Sequence, residues 1–309
     1  MTVEDRAAAL LEDVLDEPQM LAALLDAYAA PGGPLAAVPK IPDSSRMVFA
    51  GLGSSRYAAL DAATAMRADG RSAWVEFSSA DVVTPPAGDV LFVAISASGS
   101  TPETVAAAER HRGKSLVVAV TNRPASPLAA AADVVLPLFA GIETSGVSSR
   151  TFLATTAVLA LLTADSVDAL RPAVSALERL LARRAEWLPS AADLLDGAES
   201  TGVLGPAATQ GVAEQTALVL REGPRLRASA HEATDWLHTA IYTALPGYRA
   251  IVLPGIHDDA TLEGVITGRG GAVVRLPPIT GSARLVLPAY GEVLAVALWS
   301  RTTAQRKDA

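Results

Sequence analysis

The apolar run Val90-Leu-Phe-Val-Ala-Ile95 stops abruptly in Ser96-Ala-Ser98-Gly99-Ser100-Thr101, and Pro102 then opens an alanine-rich stretch. An unbroken apolar run has no polar face, so a strand built from it must be covered on both sides. Pro102 suits the first position of a helix, where its missing N–H removes no bond. The segment therefore predicts a buried strand, a tight turn and a helix, which is the repeating unit of a parallel sheet. The alternation recurs: strands are expected at Met47–Ala50, Ala73–Phe77, Leu116–Val120 and Val134–Leu138, and helices at Arg56–Ala68, Pro102–Arg112 and Arg150–Leu162. Ahead of them, residues 4–29 place Leu10, Leu11, Val14, Leu15, Leu21, Leu24 and Leu25 at helical spacing, and Pro18 is expected to break this run into two helices.

Residues 166–200 are charged and helical and read as a connector. A second α/β pattern follows, with strands expected at Thr201–Leu204, Ala250–Leu253, Ala272–Leu276 and Arg284–Leu287, and helices at Thr209–Arg221, Asp259–Gly268 and Tyr290–Ser300. The chain thus reads as two similar α/β lobes in tandem: 1–165 holds the N-terminal helices and the first lobe, 166–200 the connector, and 201–309 the second lobe.

The turn at 96–101 is also an anion seat by its chemistry. First-turn N–H groups of a helix have no partner inside it, and the macrodipole adds partial positive charge there. Ser96, Ser98, Ser100 and Thr101 add neutral donors, so a phosphate dianion is held without a lysine. A phosphorylated small molecule is the expected ligand. Gly51-Leu-Gly53-Ser54-Ser55-Arg56 ends the first strand and admits three readings: a second phosphate-contacting turn, a dinucleotide fingerprint with Glu76 as ribose acid, or a tight turn with no ligand. Against the dinucleotide, the third glycine is missing; a P-loop is excluded because neither turn carries Gly-Lys-Ser/Thr. Gly141-Ile-Glu143-Thr-Ser145-Gly146-Val-Ser148-Ser149-Arg150 is a third hydroxyl-rich turn before a helix, where Glu143 suits sugar hydroxyls and Ser148 or Ser149 suits a helix cap.

Composition narrows the partners. The 309 residues are 50% hydrophobic with a formal net charge of −8, which argues for a large core and against nucleic acid or an anionic membrane surface. The absence of cysteine removes disulfides, thiolate metal sites and cysteine nucleophiles. The acidic start does not read as a signal peptide, and no apolar run is expected to reach a membrane span, the longest lying near Ala154–Leu162. The expected compartment is the cytoplasm.

Two features of the second half carry proton chemistry. Glu222 ends its helix before Gly223-Pro224, and a carboxylate at a helix C-terminus feels the unfavourable end of the dipole, which raises its proton affinity and suits a general base. Taken alone, such a residue is usually a solvated surface group. His231, Asp235 and His238 fall at i, i+4 and i+7 on what reads as one helix. That spacing leaves open a metal site, an acid/base pair and a structural helix face. Trp236 and Tyr242 read as core or interface packing.

Together these residues resemble the SIS (sugar isomerase) family of phosphosugar domains, in the tandem form of the isomerase half of glucosamine-6-phosphate synthases. Glu12-Asp-Val-Leu-Asp-Glu17-Pro18 is similar to the helix that begins that half, Gly53-Ser54-Ser55 to its first phosphate turn, and Ile95-Ser96-Ala97-Ser98-Gly99-Ser100-Thr101 to Ile-Ser-Gln-Ser-Gly-Glu-Thr. Gly141 through Ser149 is similar to Gly-Thr-Glu-Ile-Gly-Val-Ala-Ser, and Ala217-Leu-Val-Leu-Arg221-Glu222 to Ala-Leu-Lys-Leu-Lys-Glu. The resemblance implies two flavodoxin-like αβα sandwiches with parallel sheets. It implies Glu222 as proton-transfer base and His238 as ring-opening residue, their separation of 16 (238 − 222) matching the family interval. Gly53, Ser54, Ser55, Ser96, Ser98, Ser100, Thr101, Glu143, Ser148 and Ser149 would bind the phosphosugar. In the family the histidine comes from the neighbouring subunit, so a homodimer is expected. No cofactor and no metal are called for.

The departures redirect the chemistry. Val219 stands where the family has a lysine, His238-Thr-Ala replaces His-Gly-Pro, and Gly205-Pro-Ala replaces the second lobe's Gly-Arg-Gly, so that lobe is not expected to bind phosphate. The tail with the Schiff-base lysine is cut short at Arg306-Lys307-Asp-Ala309. No glutaminase segment precedes the module, so glutamine-dependent aminotransfer is not expected. What remains is abstraction of the C2 proton of glucosamine or N-acetylglucosamine 6-phosphate by Glu222, ending in loss of water, isomerisation or deamination. The alternative is a non-catalytic phosphosugar sensor.

Overall fold

The computed structural model describes residues 2–163 and 165–307, with side chains as far as Arg301. It opens with α1 (Val3–Ala29), a single helix with Pro18 inside it, which corrects the expected break. A proline in a helix interior costs about 3 kcal/mol, whereas each Leu or Val fully removed from water returns about 1.5–3 kcal/mol. Leu10, Val14, Leu21, Leu24 and Leu25 are all 0% exposed on one stripe that runs past the proline, so burial outweighs the lost bond.

The chain then forms β1 (Arg46–Gly51), α2 (Ser54–Ala68), β2 (Ala73–Phe77), β3 (Val90–Ile95), α3 (Pro102–His111), β4 (Leu116–Thr121), α4 (Pro127–Ala130), β5 (Val134–Pro137) and α5 (Arg150–Thr163). The second series is α6 (Val167–Leu170), α7 (Pro172–Ala182), α8 (Leu188–Leu195), β6 (Ser200–Gly205), α9 (Gln210–Glu222), β7 (Ala228–Glu232), α10 (Ala233–Thr239), β8 (Tyr248–Val252), α11 (Asp259–Gly268), β9 (Ala272–Arg275), α12 (Ala283–Val286) and α13 (Pro288–Lys307).

Two compact units result. The first comprises Gln19–Ile142 and Arg150–Arg171; the second comprises Met1–Pro18, Glu143–Ser149 and Pro172–Ala309. The first contains a five-stranded sheet, ordered β2-β1-β3-β4-β5, with every pairing parallel. Alternate residues Val48, Ala50, Val90, Phe92, Ala94, Val117 and Ala119 pack on one face with Ala107 and Ala108 of α3 and Leu128 of α4. Each strand of β1 and β3 is buried nearly throughout, as an apolar run without alternation requires. Because β1 pairs with both β2 and β3, the chain leaves it in one direction and β3 in the other. That switch point is where doubly wound sheets bind ligands, outside the strands' carboxyl ends.

The second unit carries a four-stranded parallel sheet, ordered β7-β6-β8-β9. Trp236, 0% exposed, packs in its core with Tyr248, Ala250, Leu262 and Ile266, while Tyr242 is 73% exposed. Two expectations fail here. Arg284–Leu287 is not a strand but the region of α12, since so short an apolar run has no period of its own to settle its type. Ala228–Glu232 is an edge strand, β7, and not the start of a helix. Residues 283–301 are long and apolar enough to cross a membrane by length and composition, but 72% of that stretch is buried inside the protein, as in a core helix. The side chains of Arg306 and Lys307, and all of Asp308 and Ala309, lie outside the described residues.

Candidate functional site

In the first unit the turns after β1 and β3 emerge side by side, because Ala50 pairs with Ala94 in the ladder. After β3 the hydroxyls form a closed group. Ser96 Oγ lies 2.9 Å from Thr101 Oγ1 and 3.4 Å from Ser98 Oγ, Ser100 Oγ donates to Ser98 Oγ at 3.1 Å, and Gly99 N–H donates to Ser96 Oγ at 3.2 Å. Ser96 is buried, whereas Ser98 and Ser100 are exposed and available to a ligand. Thr101 occupies the N-cap of α3 with its side chain free of a capping bond, and Pro102 follows at the first helical position. After β1, Gly53 (φ 52°) is the N-cap of α2, and Ser54 and Ser55 are its first two residues. The sequence thus brings two helix N-termini and a hydroxyl ring to one crevice of the sheet.

The second turn is braced from β4. Asn122 N–H donates to the Ala97 carbonyl at 3.0 Å and Leu128 N–H to the Gly99 carbonyl at 2.9 Å. Gly99 is required: at φ 63°, an added Cβ would lie 2.0 Å from Ser126 Oγ. Glu76, the acid of the dinucleotide reading, instead accepts the Thr84 N–H through Oε1 at 2.8 Å. Among the described residues, the equivalent crevice of the second unit has no such cup. Pro206 supplies no N–H after β6, its ring lies 3.6 Å from a Cβ added at Gly255 beyond β8, and a 3₁₀ turn, Ala207–Thr209, replaces the hydroxyl turn.

The other predicted residues lie in the second unit. Ser149 N–H donates to Glu143 Oε1 at 2.8 Å, and Gln215 Nε2 of α9 donates to the Ser148 carbonyl at 2.8 Å. Arg6 Nε donates to the Ser145 carbonyl at 2.7 Å, so α1 and α9 both hold this loop. Sequence reasoning missed Arg6 and Gln215; their partners lie too far along the chain for local spacing to suggest them. Glu222 ends α9 half-buried. Burial raises its proton affinity, against the lowering charges of Arg221, Arg6 and Arg225. The direction is the one expected from its position, but burial rather than the helix end is the main cause.

The His231, Asp235, His238 helix face does not form. His231 lies on β7, where its Nε2 is 3.0 Å from Ser229 Oγ, and burial lowers its proton affinity; Asp235 and His238 are on α10. His238 is exposed at the last turn of α10, and among the described residues no hydrogen bond or ion pair joins it to Glu222. Val219, at the family's lysine position, is fully buried.

Residues 40–164 match the SIS domain model. A glutamine--fructose-6-phosphate aminotransferase [isomerizing] of Aeropyrum pernix is 27% identical over 290 residues, covering 87% of this chain and 47% of that protein. The corresponding protein of Shouchella clausii is 29% identical over 228 residues, covering 68% of this chain and 38% of that one. The chain therefore spans less than half the length of these curated relatives. Among solved structures, the C-terminal domain of glucosamine-fructose-6-phosphate aminotransferase from Francisella tularensis superposes with a TM-score of 0.80 at 18% identity, over 94% of each chain. Glucosamine-6-phosphate deaminase of Thermotoga maritima gives 0.73 at 16% identity over 95% of each. Tagatose-6-phosphate ketose/aldose isomerase of Escherichia coli gives 0.78 at 15% identity, over 95% of this chain and 93% of that one. At these identities the superpositions establish a common fold.

Proposed function

We propose that this chain, whose residues 40–164 match the SIS domain model, is an enzyme acting on an amino-sugar 6-phosphate by removing the proton at C2. The observation that carries this reading is the hydroxyl group of Ser96, Ser98, Ser100 and Thr101 at the switch point, beside the start of α2. It offers directional donors and two helix N-termini to one phosphoryl group. Superposable proteins that carry the names of a deaminase and an isomerase of sugar 6-phosphates support the substrate class.

The seat anchors the phosphate, which supplies proximity and orientation for the far end of the sugar. Gly53, Ser54 and Ser55 contribute at its rim, and Glu143, Ser148 and Ser149 contact the sugar. His238 assists opening of the ring: the C1–O5 bond breaks, O5 takes a proton and O1 releases one, exposing the C1 aldehyde. Glu222 then takes the proton from C2, made acidic by that carbonyl; burial holds its proton affinity high enough for the task. With a free amine or hydroxyl at C2, the proton returns to C1, giving isomerisation, or an imine whose hydrolysis releases ammonia. With an N-acetyl group, the C3–O bond breaks and hydroxide leaves with a proton as water. Val219 removes an amine partner for a ketose, which favours the elimination.

The test is incubation with glucosamine 6-phosphate and N-acetylglucosamine 6-phosphate in heavy water, read by mass spectrometry. Deuterium at C2, or a product lighter by one water, is expected. Glu222→Gln should lower that rate by about 10²–10⁴-fold while leaving sugar binding intact. Binding without exchange or product for either sugar overturns the reading and supports a non-catalytic phosphosugar sensor, which the buried Val219 favours. A homodimer is expected in sedimentation; a fully active monomer contradicts the assignment of His238 to a neighbouring subunit's site.

A further inference from the structure

Arg56 stands where a cation should not be left alone. It is the third residue of α2, whose N-terminal turn forms one side of the seat, and a helix N-terminus disfavours positive charge by about 0.3–1 kcal/mol. Its guanidinium carbon lies 3.9 Å from the centroid of the Phe77 ring, at the end of β2. Phe77 pairs with Gly51 in the ladder, so this stack sits directly beside the turn that carries Gly53, Ser54 and Ser55. The ring itself is 53% exposed, so the stack lies at the surface. Arg56 Nε is buried without a hydrogen-bond partner, and no carboxylate pairs with the guanidinium among the described residues. Several other arginines of this acidic chain are paired with carboxylates, Arg46 with Asp89, Arg171 with Asp26, Arg183 with Glu186, and Arg275 with Asp259 and Glu263, whereas Arg71 Nε, like Arg56 Nε, is buried without a hydrogen-bond partner. A planar guanidinium stacked on a ring keeps its N–H edge free and pre-oriented, the arrangement that suits two oxygens of one oxyanion.

We propose that Arg56, clamped on Phe77, is the counter-ion of the seat and binds the outer oxygens of the phosphoryl group, selecting a phosphate monoester over a neutral sugar. This rests on the reading that the seat at 53–55 and 96–101 takes phosphate. It adds to the neutral hydroxyls the one charge they lack, and it explains why a cation is tolerated on the first turn of α2: the bound anion reverses the sign of its interaction. Phe77 becomes a positioning residue, since it touches the guanidinium and not the ligand.

Calorimetric titration of the intact protein with inorganic phosphate, and separately with glucosamine 6-phosphate, tests this. Arg56→Gln should weaken both by about 10- to 100-fold, as loss of a charge-assisted bidentate contact does, and make binding less sensitive to salt. Arg56→Lys should recover part of the affinity. Phe77→Leu, which keeps the charge and loses its placement, should weaken binding by less than Arg56→Gln. Inorganic phosphate bound equally by Arg56→Gln and the wild type overturns the assignment, as does a loss confined to the sugar phosphate. So does a wild type that binds no phosphate. Should Arg56→Gln fail to fold, unchanged phosphate affinity in both Arg56→Lys and Phe77→Leu overturns it. Because the readout is equilibrium binding of inorganic phosphate, it stands or falls separately from deuterium exchange at C2.

Discussion

Gly99 shows how much one residue decides at the seat. Its φ of 63° and the 2.0 Å approach of an added Cβ to Ser126 Oγ mean that a methyl group must displace the β4–α4 turn that braces the hydroxyls. Gly99→Ala is expected to lower stability by about 2 kcal/mol or more in urea titration and to abolish phosphate binding. The hydroxyl turn and this glycine were legible in the sequence because turn chemistry is local: strand, small polar residues and Pro102 lie within a dozen positions. Arg56 was not legible as more than a member of a turn, because its meaning depends on a ring in another strand and on the absence of a carboxylate nearby. Glu222 lies between these cases. Its place at the end of α9 was readable, whereas its burial, the larger cause of its raised proton affinity, required the packed structure.

At the scale of elements, continuous patterns were read well and short or interrupted ones were not. The central strands β1, β3 and β4 were recognised because a covered parallel sheet needs runs without polar alternation. β7 escaped because Ala228–Glu232 is a small and polar edge strand, paired on one side only, and the His231, Asp235, His238 spacing imitates a helix face. α1 was divided on the rule that proline ends helices, a rule that a long buried stripe overrides here. The separation of His231 on β7 from His238 on α10 carries an expectation of its own. Added zinc and added chelator should each leave the melting temperature unchanged; a zinc-dependent rise abolished by His231→Ala would contradict the placement of these side chains on different elements.

At the scale of the whole molecule, the second unit gathers carboxyl groups from segments remote in sequence. Glu292 of α13, 1% exposed, lies by Glu17 of α1 with the charges of Asp13 and Glu143 nearby. Burial, reinforced by the charges of Glu143 and Asp13 and opposed by the neighbouring Glu17, pushes its carboxyl up to about 8. The sign follows directly. The folded protein keeps a proton that the unfolded chain releases near the ordinary glutamate value, so this group's contribution is fully present below that value and is lost as pH rises to about 8. Stability should therefore fall between about pH 4.5 and 8, by at most about 1.4 kcal/mol per pH unit from this group. Glu292→Gln, which carries no titrating proton, should flatten that slope in melts across the range and be more stable than the wild type at pH 8. An unchanged slope would show that Glu292 is ionised in the folded protein.

The sequence by itself determined that the chain is an α/β protein of parallel sheets and that a hydroxyl-rich turn opens a helix after a buried strand. These are consequences of periodicity and turn chemistry, which act over a few residues. Only the tertiary structure decided that 1–18 and 143–149 pack with 172–309, that Glu292 is sealed among other carboxyls, and that Arg56 rests on Phe77 with no carboxylate paired to it among the described residues. Burial and charge pairing are collective: they depend on which distant segments exclude water together, and no local spacing encodes that.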